Sequence, residues 1–176
     1  MGATDTGQRN LDVVLEAPAS VSIYLQALTA AGRDGDAADV RAAHRAAADV
    51  AFVALERYGL WFSVTAPEAA LPHRYEPAAS PMQLVEHDSV QGGLHTHVLV
   101  HGEPAGGVID RGAASRAMPY VRRRYDRELV DALSARLGLV LREADGRPEL
   151  TAVPAGLIDG WRPQPCRALV GAAQLR

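Results

Sequence analysis

The stretch HDSVQGGLHTHVLVH, residues 87–101, decides the fold and holds the chemistry of the chain. Gly92-Gly93 is a turn signal, and on either side of it Met82 to Asp88 and Leu94 to His101 read as strands that neighbour one another in an antiparallel hairpin. Side chains on a strand alternate between its faces, which puts Leu94, Thr96, Val98 and Val100 on one side and His95, His97 and His101 on the other. Residues two apart on one strand face lie roughly 6.6 Å from each other, so two imidazoles can lean onto one ion between them. His87 stands across the turn from this pair and offers a third nitrogen. Three neutral imidazoles without a fourth protein ligand leave a coordination position for water or substrate, as catalytic metal sites do. The competing reading of the HxH spacing alone is a polar strand face.

Working outward, Leu11 to Glu16 is a strand with Leu11, Val13 and Leu15 on one face and Asp12, Val14 and Glu16 on the other. Ser20 is placed to cap a short helix running to about Leu28, and Gly32 to Gly35 is a turn. From about Asp36 to Tyr58 the apolar positions Val40, Ala43, Ala47, Val50, Ala54 and Tyr58 recur at helical spacing, with Gly59 as the stop. Leu60 to Ala66 alternates like a strand, Pro67 to Pro81 reads as an irregular loop, and Val108 to Asp110 as a short strand. Pro119 opens a third helix whose stripe is Val121, Tyr125, Leu129, Leu133 and Leu137. Leu139 to Arg142 and Glu149 to Val153 flank the Asp145-Gly146 turn as edge strands. These elements describe one domain, residues 10–165, between a flexible tail at 1–9 and a C-terminal tail at 166–176.

Composition narrows the function. The chain has 176 residues, 48% hydrophobic and 22% charged, enough for one core. No apolar run reaches the roughly 18 residues a membrane span requires. Cys166 is the only cysteine, so a disulfide framework and a cysteine zinc site are both excluded, and a reducing cytoplasm is the expected location. The net charge of −3 argues against general nucleic-acid binding, which ordinarily needs a basic surface. Every one of the 18 basic residues is arginine, a mark of GC-rich coding that says nothing about function. Arg122-Arg123-Arg124 spreads around a helix and reads as a solvated charge cluster.

The segments DVVLEAPASVS (Asp12 to Ser22), ALERYG, HDSVQGGLHTHVLVHG, YDRELVDALSARLG and ELTAVPAGLIDG, in this order and spacing, resemble the TrwC-type (MobF) conjugative relaxases, the HUH single-strand DNA nickases. The resemblance spans about residues 10–165. It implies an α/β (α+β) fold, an antiparallel sheet with helices packed on one face, here a truncated relaxase fold. It also implies that His87, His95 and His97 form the metal-binding triad and that Asp12 is the acidic residue beside it. A carboxylate there has a physical task, since a ligating imidazole donates its other N–H to an acceptor that fixes its tautomer. Glu16, on the same expected face, is a further acid, a base or merely an exposed residue, and His101 on that face is a further catalytic candidate. The metal is a divalent ion, with Zn, Mn, Mg, Fe, Co, Ni and Cu undistinguished.

Several departures accompany the likeness. The family's nucleophilic tyrosines come from a segment ahead of the strand that Asp12 occupies, where this chain has eleven residues and no tyrosine. Its usual APKSVS lysine is Ala19, and its basic loop after the second helix is replaced by apolar and Pro-rich sequence. Of the tyrosines, Tyr58 and Tyr125 are expected in the core and Tyr24 on a short helix, leaving Tyr75 and Tyr120 as the only relocated nucleophile candidates. The favoured expectation is therefore a relaxase-derived metalloenzyme acting on a small molecule, with a role in specialised metabolism, its pocket walled by Val14, Val85, Leu99 and the 67–81 loop. The alternatives are a partial relaxase that binds or nicks single-stranded DNA, and a non-catalytic binding module. Oligomeric state is left open.

Overall fold

The computed structural model describes residues 10–64, 74–77, 82–89, 93–100, 108–162 and 172–175. Its centre is a four-stranded sheet in the order β4-β5-β1-β9, where β1 is Asn10–Glu16, β4 Met82–Ser89, β5 Gly93–Val100 and β9 Ala172–Leu175. The expected 82–101 hairpin is the β4–β5 pair, and β5 also pairs antiparallel with β1. The register sets His97 opposite Val14 on one side and Val85 on the other, and His95 opposite Glu16 and His87. One face therefore carries Asp12, Val14 and Glu16 beside His95, His97 and Leu99, with His87 in register on β4.

The opposite face supplies the core. Leu11, Val13, Leu15, Leu94, Val98 and Val100 are all buried, each leucine being worth roughly 1.5–3 kcal/mol on removal from water. Behind them lie α1 (Ala19–Ala30), α2 (Asp34–Tyr58) and α3 (Arg111–Leu137). Helix α2 buries Val40, Ala43, Ala47, Ala51, Ala54 and Leu55, and α3 buries Ala114, Ala117, Val121, Tyr125, Leu129 and Leu133, each at helical spacing. Small residues along this seam let the two helices approach closely. At its end a Cβ added to Gly59 would lie 2.9 Å from Leu55 Cδ1 and 3.0 Å from Ala117 Cβ, so any larger residue at the end of α2 would have to displace its neighbours.

Two smaller sheets complete the mixed α/β fold. One runs β3-β2-β6, with β2 Trp61–Val64, β3 Arg74–Pro77 and β6 Val108–Ile109. The other is the hairpin of β7 (Leu141–Ala144) and β8 (Arg147–Leu150), followed by the short α4 (Ala155–Gly160). Asp145 and Gly146 turn it with φ of 51° and 78°, the left-handed pair that an Asp-Gly hairpin turn supplies.

The structure corrects several expectations. The sheet is not wholly antiparallel: β9 runs parallel to β1, so residues 172–175 of the expected C-terminal tail form an edge strand. Helix α3 starts eight residues before Pro119, because Asp110 Oδ1 accepts the Ala113 N–H at 2.9 Å and caps the helix there. Pro119 is tolerated inside α3 because it and Ser115, to whose carbonyl it cannot donate, both lie on the exposed side. Helix α2 likewise starts at Asp34, inside the stretch expected to be a turn. Ser20 does not cap α1. Its Oγ instead accepts the Leu150 N–H at 2.8 Å, while Glu149 Oε2 accepts the Ser20 N–H at 2.9 Å and brings negative charge to the helix N-terminus. Tyr75 falls in β3 rather than in a loop. Tyr58, expected in the core, is 49% exposed and packs edge-on against Tyr120 at 5.2 Å. Tyr125 is buried as expected.

Candidate metal centre

Adjacent residues of the same face position the site. Strand β5 presents His95 and His97, their rings 5.3 Å apart at 66°, and both are buried. His97 Nδ1 lies 2.7 Å from Asp12 Oδ1 and 2.8 Å from Oδ2, and His95 Nδ1 lies 3.1 Å from the Gly93 carbonyl oxygen. A carboxylate and a carbonyl can only accept, so Nδ1 of each ring carries a proton, and in the neutral ring the lone pair is on Nε2. That is the tautomer a ligating histidine uses when its other nitrogen is held by an acceptor. Gly93 contributes through its backbone: its φ of 73° is left-handed, and a Cβ there would meet Ser22 Oγ at 3.0 Å. That serine oxygen in turn accepts the Leu94 N–H at 3.1 Å, which pins the start of β5 to α1.

Asp12 is completely buried, and its two oxygens converge on one imidazole. Glu16 shares the face, opposite His95, and its backbone carbonyl accepts from Arg147 Nη2 at 2.7 Å. Val14 is buried and stands in register with His97. His87 is in register with His95 on β4, but its side chain lies outside the described residues, as do all of His101, the side chain of Val85 and most of the 67–81 loop. Among the described residues, no group of three or more His, Cys, Asp or Glu is gathered as a metal would require. The described part of the site is thus two imidazoles, each with an acceptor at Nδ1, and two such nitrogens fit a divalent ion only when further ligands complete it.

Sequence reading missed the other side of the strand. His44, from the middle of α2, is buried with Nε2 at 2.8 Å from Thr96 Oγ1 and Nδ1 at 2.6 Å from the Tyr125 hydroxyl. Burial, the largest cause, pushes the His44 pKa down to about 3, so its ring is neutral. Burial also raises the Tyr125 hydroxyl above its ordinary value and keeps it protonated. The signal was present in the sequence: a histidine on the apolar stripe of a helix, beside Ala43 and one turn before Ala47 and Ala48.

With this geometry in hand, comparison with known proteins is decisive on one point. The family model described as TrwC relaxase matches residues 3–163. The chain belongs to the TrwC relaxase family. A solved structure of TrwC complexed with a 27-mer DNA comprising the recognition hairpin and the cleavage site is 25% identical, with a TM-score of 0.64 over 85% of this chain and 52% of that one. A copper-bound structure of the conjugative relaxase TrwC with oriT DNA is 23% identical, with a TM-score of 0.63 over 84% of this chain and 50% of that one. A metal-bound form of the same complex is 24% identical, with a TM-score of 0.61, over 84% and 50%. The chain thus spans about half the length of the relaxase structures it matches. No curated protein matches it. Among the described residues, no helix is long and apolar enough to cross a membrane.

Proposed function

We propose that the chain carries the metal-binding half of a relaxase-type site that engages single-stranded DNA, with His87, His95 and His97 as metal ligands and Asp12 orienting His97. A divalent ion held there would supply positive charge to the oxygens of a phosphodiester. The chain's own residues do the preparatory work. Asp12 and the Gly93 carbonyl hold both imidazoles in the tautomer with Nε2 as the lone-pair nitrogen, and Ser22 secures the strand that carries them. Glu16, opposite His95, and His101 remain the acid–base candidates of this reading.

The observation that carries the proposal is the convergence of both Asp12 oxygens on His97 Nδ1 in a chain of this family. Family membership favours single-stranded DNA over the small molecule that net charge and apolar surroundings suggested. The experiment is a gel shift of the full chain with single-stranded oligonucleotides at 50 and 200 mM salt, with and without Mn²⁺. Binding that is strengthened by Mn²⁺ and falls steeply with salt is expected, because phosphate contacts release counterions. Absence of binding at low salt with metal present would overturn the DNA reading.

A further inference from the structure

Thr96 lies between His95 and His97 on β5, so its side chain leaves the opposite face of the strand. There it joins His44 and Tyr125 in a chain of hydrogen bonds of 2.8 and 2.6 Å, with all three residues buried. His44 and Tyr125 also meet edge-on, with ring centroids 5.7 Å apart at 76°. The strand segment that presents both imidazoles is therefore tied from behind to α2 and α3.

Apolar side chains of similar size would fill this space without taking polar groups out of water. What the hydrogen bonds add is direction. A neutral imidazole donates through one nitrogen and accepts through the other, so its two partners fix its plane, and through Thr96 it fixes the rotation of β5 about its own axis. That rotation sets the aim of His95 and His97 together, and ligands must be held to within about 0.5 Å for a metal to bind well.

We propose that His44, Thr96 and Tyr125 are positioning residues for the metal centre, acting through the β5 backbone from the core side of the sheet. The inference rests on the metal reading above, and the test separates the two. Metal-stripped full chain is titrated with Co²⁺ and followed by visible absorption, for wild type, Thr96→Val, Thr96→Ser, Tyr125→Phe and the His95→Ala plus His97→Ala double variant. The temperature is one at which every variant keeps the wild-type near-ultraviolet dichroism. Thr96→Val and Tyr125→Phe are expected to bind Co²⁺ about 10-fold more weakly, with a shifted ligand-field spectrum, as removal of a ligand-orienting group does. Thr96→Ser, which keeps the hydroxyl, should recover both. A merely structural network would lower the melting temperature and leave affinity and spectrum alone. Wild-type affinity and spectrum in Thr96→Val and Tyr125→Phe, with binding lost in the double variant, would overturn the inference while the metal reading stands. Co²⁺ binding by the double variant equal to wild type would overturn the metal reading itself. If Thr96→Val does not fold, Tyr125→Phe, at the far end of the network, decides alone.

Discussion

Asp12 and His97 meet on a diagonal of the β1–β5 pair: Asp12 stands opposite Leu99, two residues along from His97, yet both of its carboxylate oxygens lie within 2.8 Å of Nδ1. Diagonal neighbours of this kind are within reach of long side chains on a sheet face. The direct position opposite His97 is left to Val14, which packs without competing for the ring nitrogens. Replacing Asp12 by Asn keeps an acceptor but removes the charge, so metal affinity should fall by about 10 to 100-fold with only a small loss of stability. Asp12→Ala leaves a buried N–H without its acceptor and should also cost about 2 kcal/mol in denaturant unfolding. Equal metal affinities in both variants and wild type would show that the carboxylate does not orient a ligand.

Stability should depend on pH through His44. Its folded pKa of about 3 lies below the 6.5 of an unfolded histidine, so between those values the unfolded chain binds the extra proton. The contribution is present in full above about pH 6.5 and is lost as pH falls toward 3, with a slope of up to about 1.4 kcal/mol per pH unit. Urea unfolding of wild type and His44→Gln from pH 7.5 to 4 tests this. The variant should be less stable at pH 7.5, and the gap should narrow as the pH falls; a constant gap would mean that His44 is not buried neutral.

The N-terminus of α3 depends on one carboxylate. Asp110→Ala removes the acceptor for the Ala113 N–H and should destabilise the chain by about 1 kcal/mol, whereas Asp110→Asn should retain most of the cap. Thermal melts of the two variants would separate capping from a generic surface effect, since both lose the charge and only one loses the acceptor.

The α2–α3 seam predicts an intolerant glycine. In Gly59→Ala the new methyl would sit 2.9 Å from Leu55 Cδ1 and 3.0 Å from Ala117 Cβ, an overpacking that should cost about 1–3 kcal/mol. Gly35→Ala, where the methyl meets nothing within 4 Å, should be tolerated, and a similar cost at both positions would contradict the close approach.

Much of this was legible from periodicity. The alternation in residues 94–100 and 11–16 located both faces of the central strands, and the Asp-Gly turn located the β7–β8 hairpin, because both signals are local. What escaped the sequence depended on partners distant in the chain. Ser20 has the residue type and position of a helix cap, yet its hydroxyl serves Leu150 and the cap comes from Glu149. Strand β9, Ala172-Ala173-Gln174-Leu175, is too short and too poor in β-branched residues to read as a strand alone, and its pairing partner is β1. The alternation pattern could say that Asp12 faced the histidines but not that it was fully buried, because burial is decided by the packing of other elements. The position of His44 on an apolar stripe was visible, but its partners were hidden for the same reason, since the three members come from α2, β5 and α3.

The central claim is that His95 and His97, with their Nδ1 protons fixed, hold a divalent ion. Calorimetric titration of the stripped chain with Mn²⁺, beside the His95→Ala plus His97→Ala variant, tests it most directly. The account predicts one ion per wild-type chain, no measurable binding in the variant, and a small change in melting temperature, since Leu94, Val98 and Val100 of the same strand still form the core. Identical binding isotherms for the two proteins, with or without metal uptake, would contradict it.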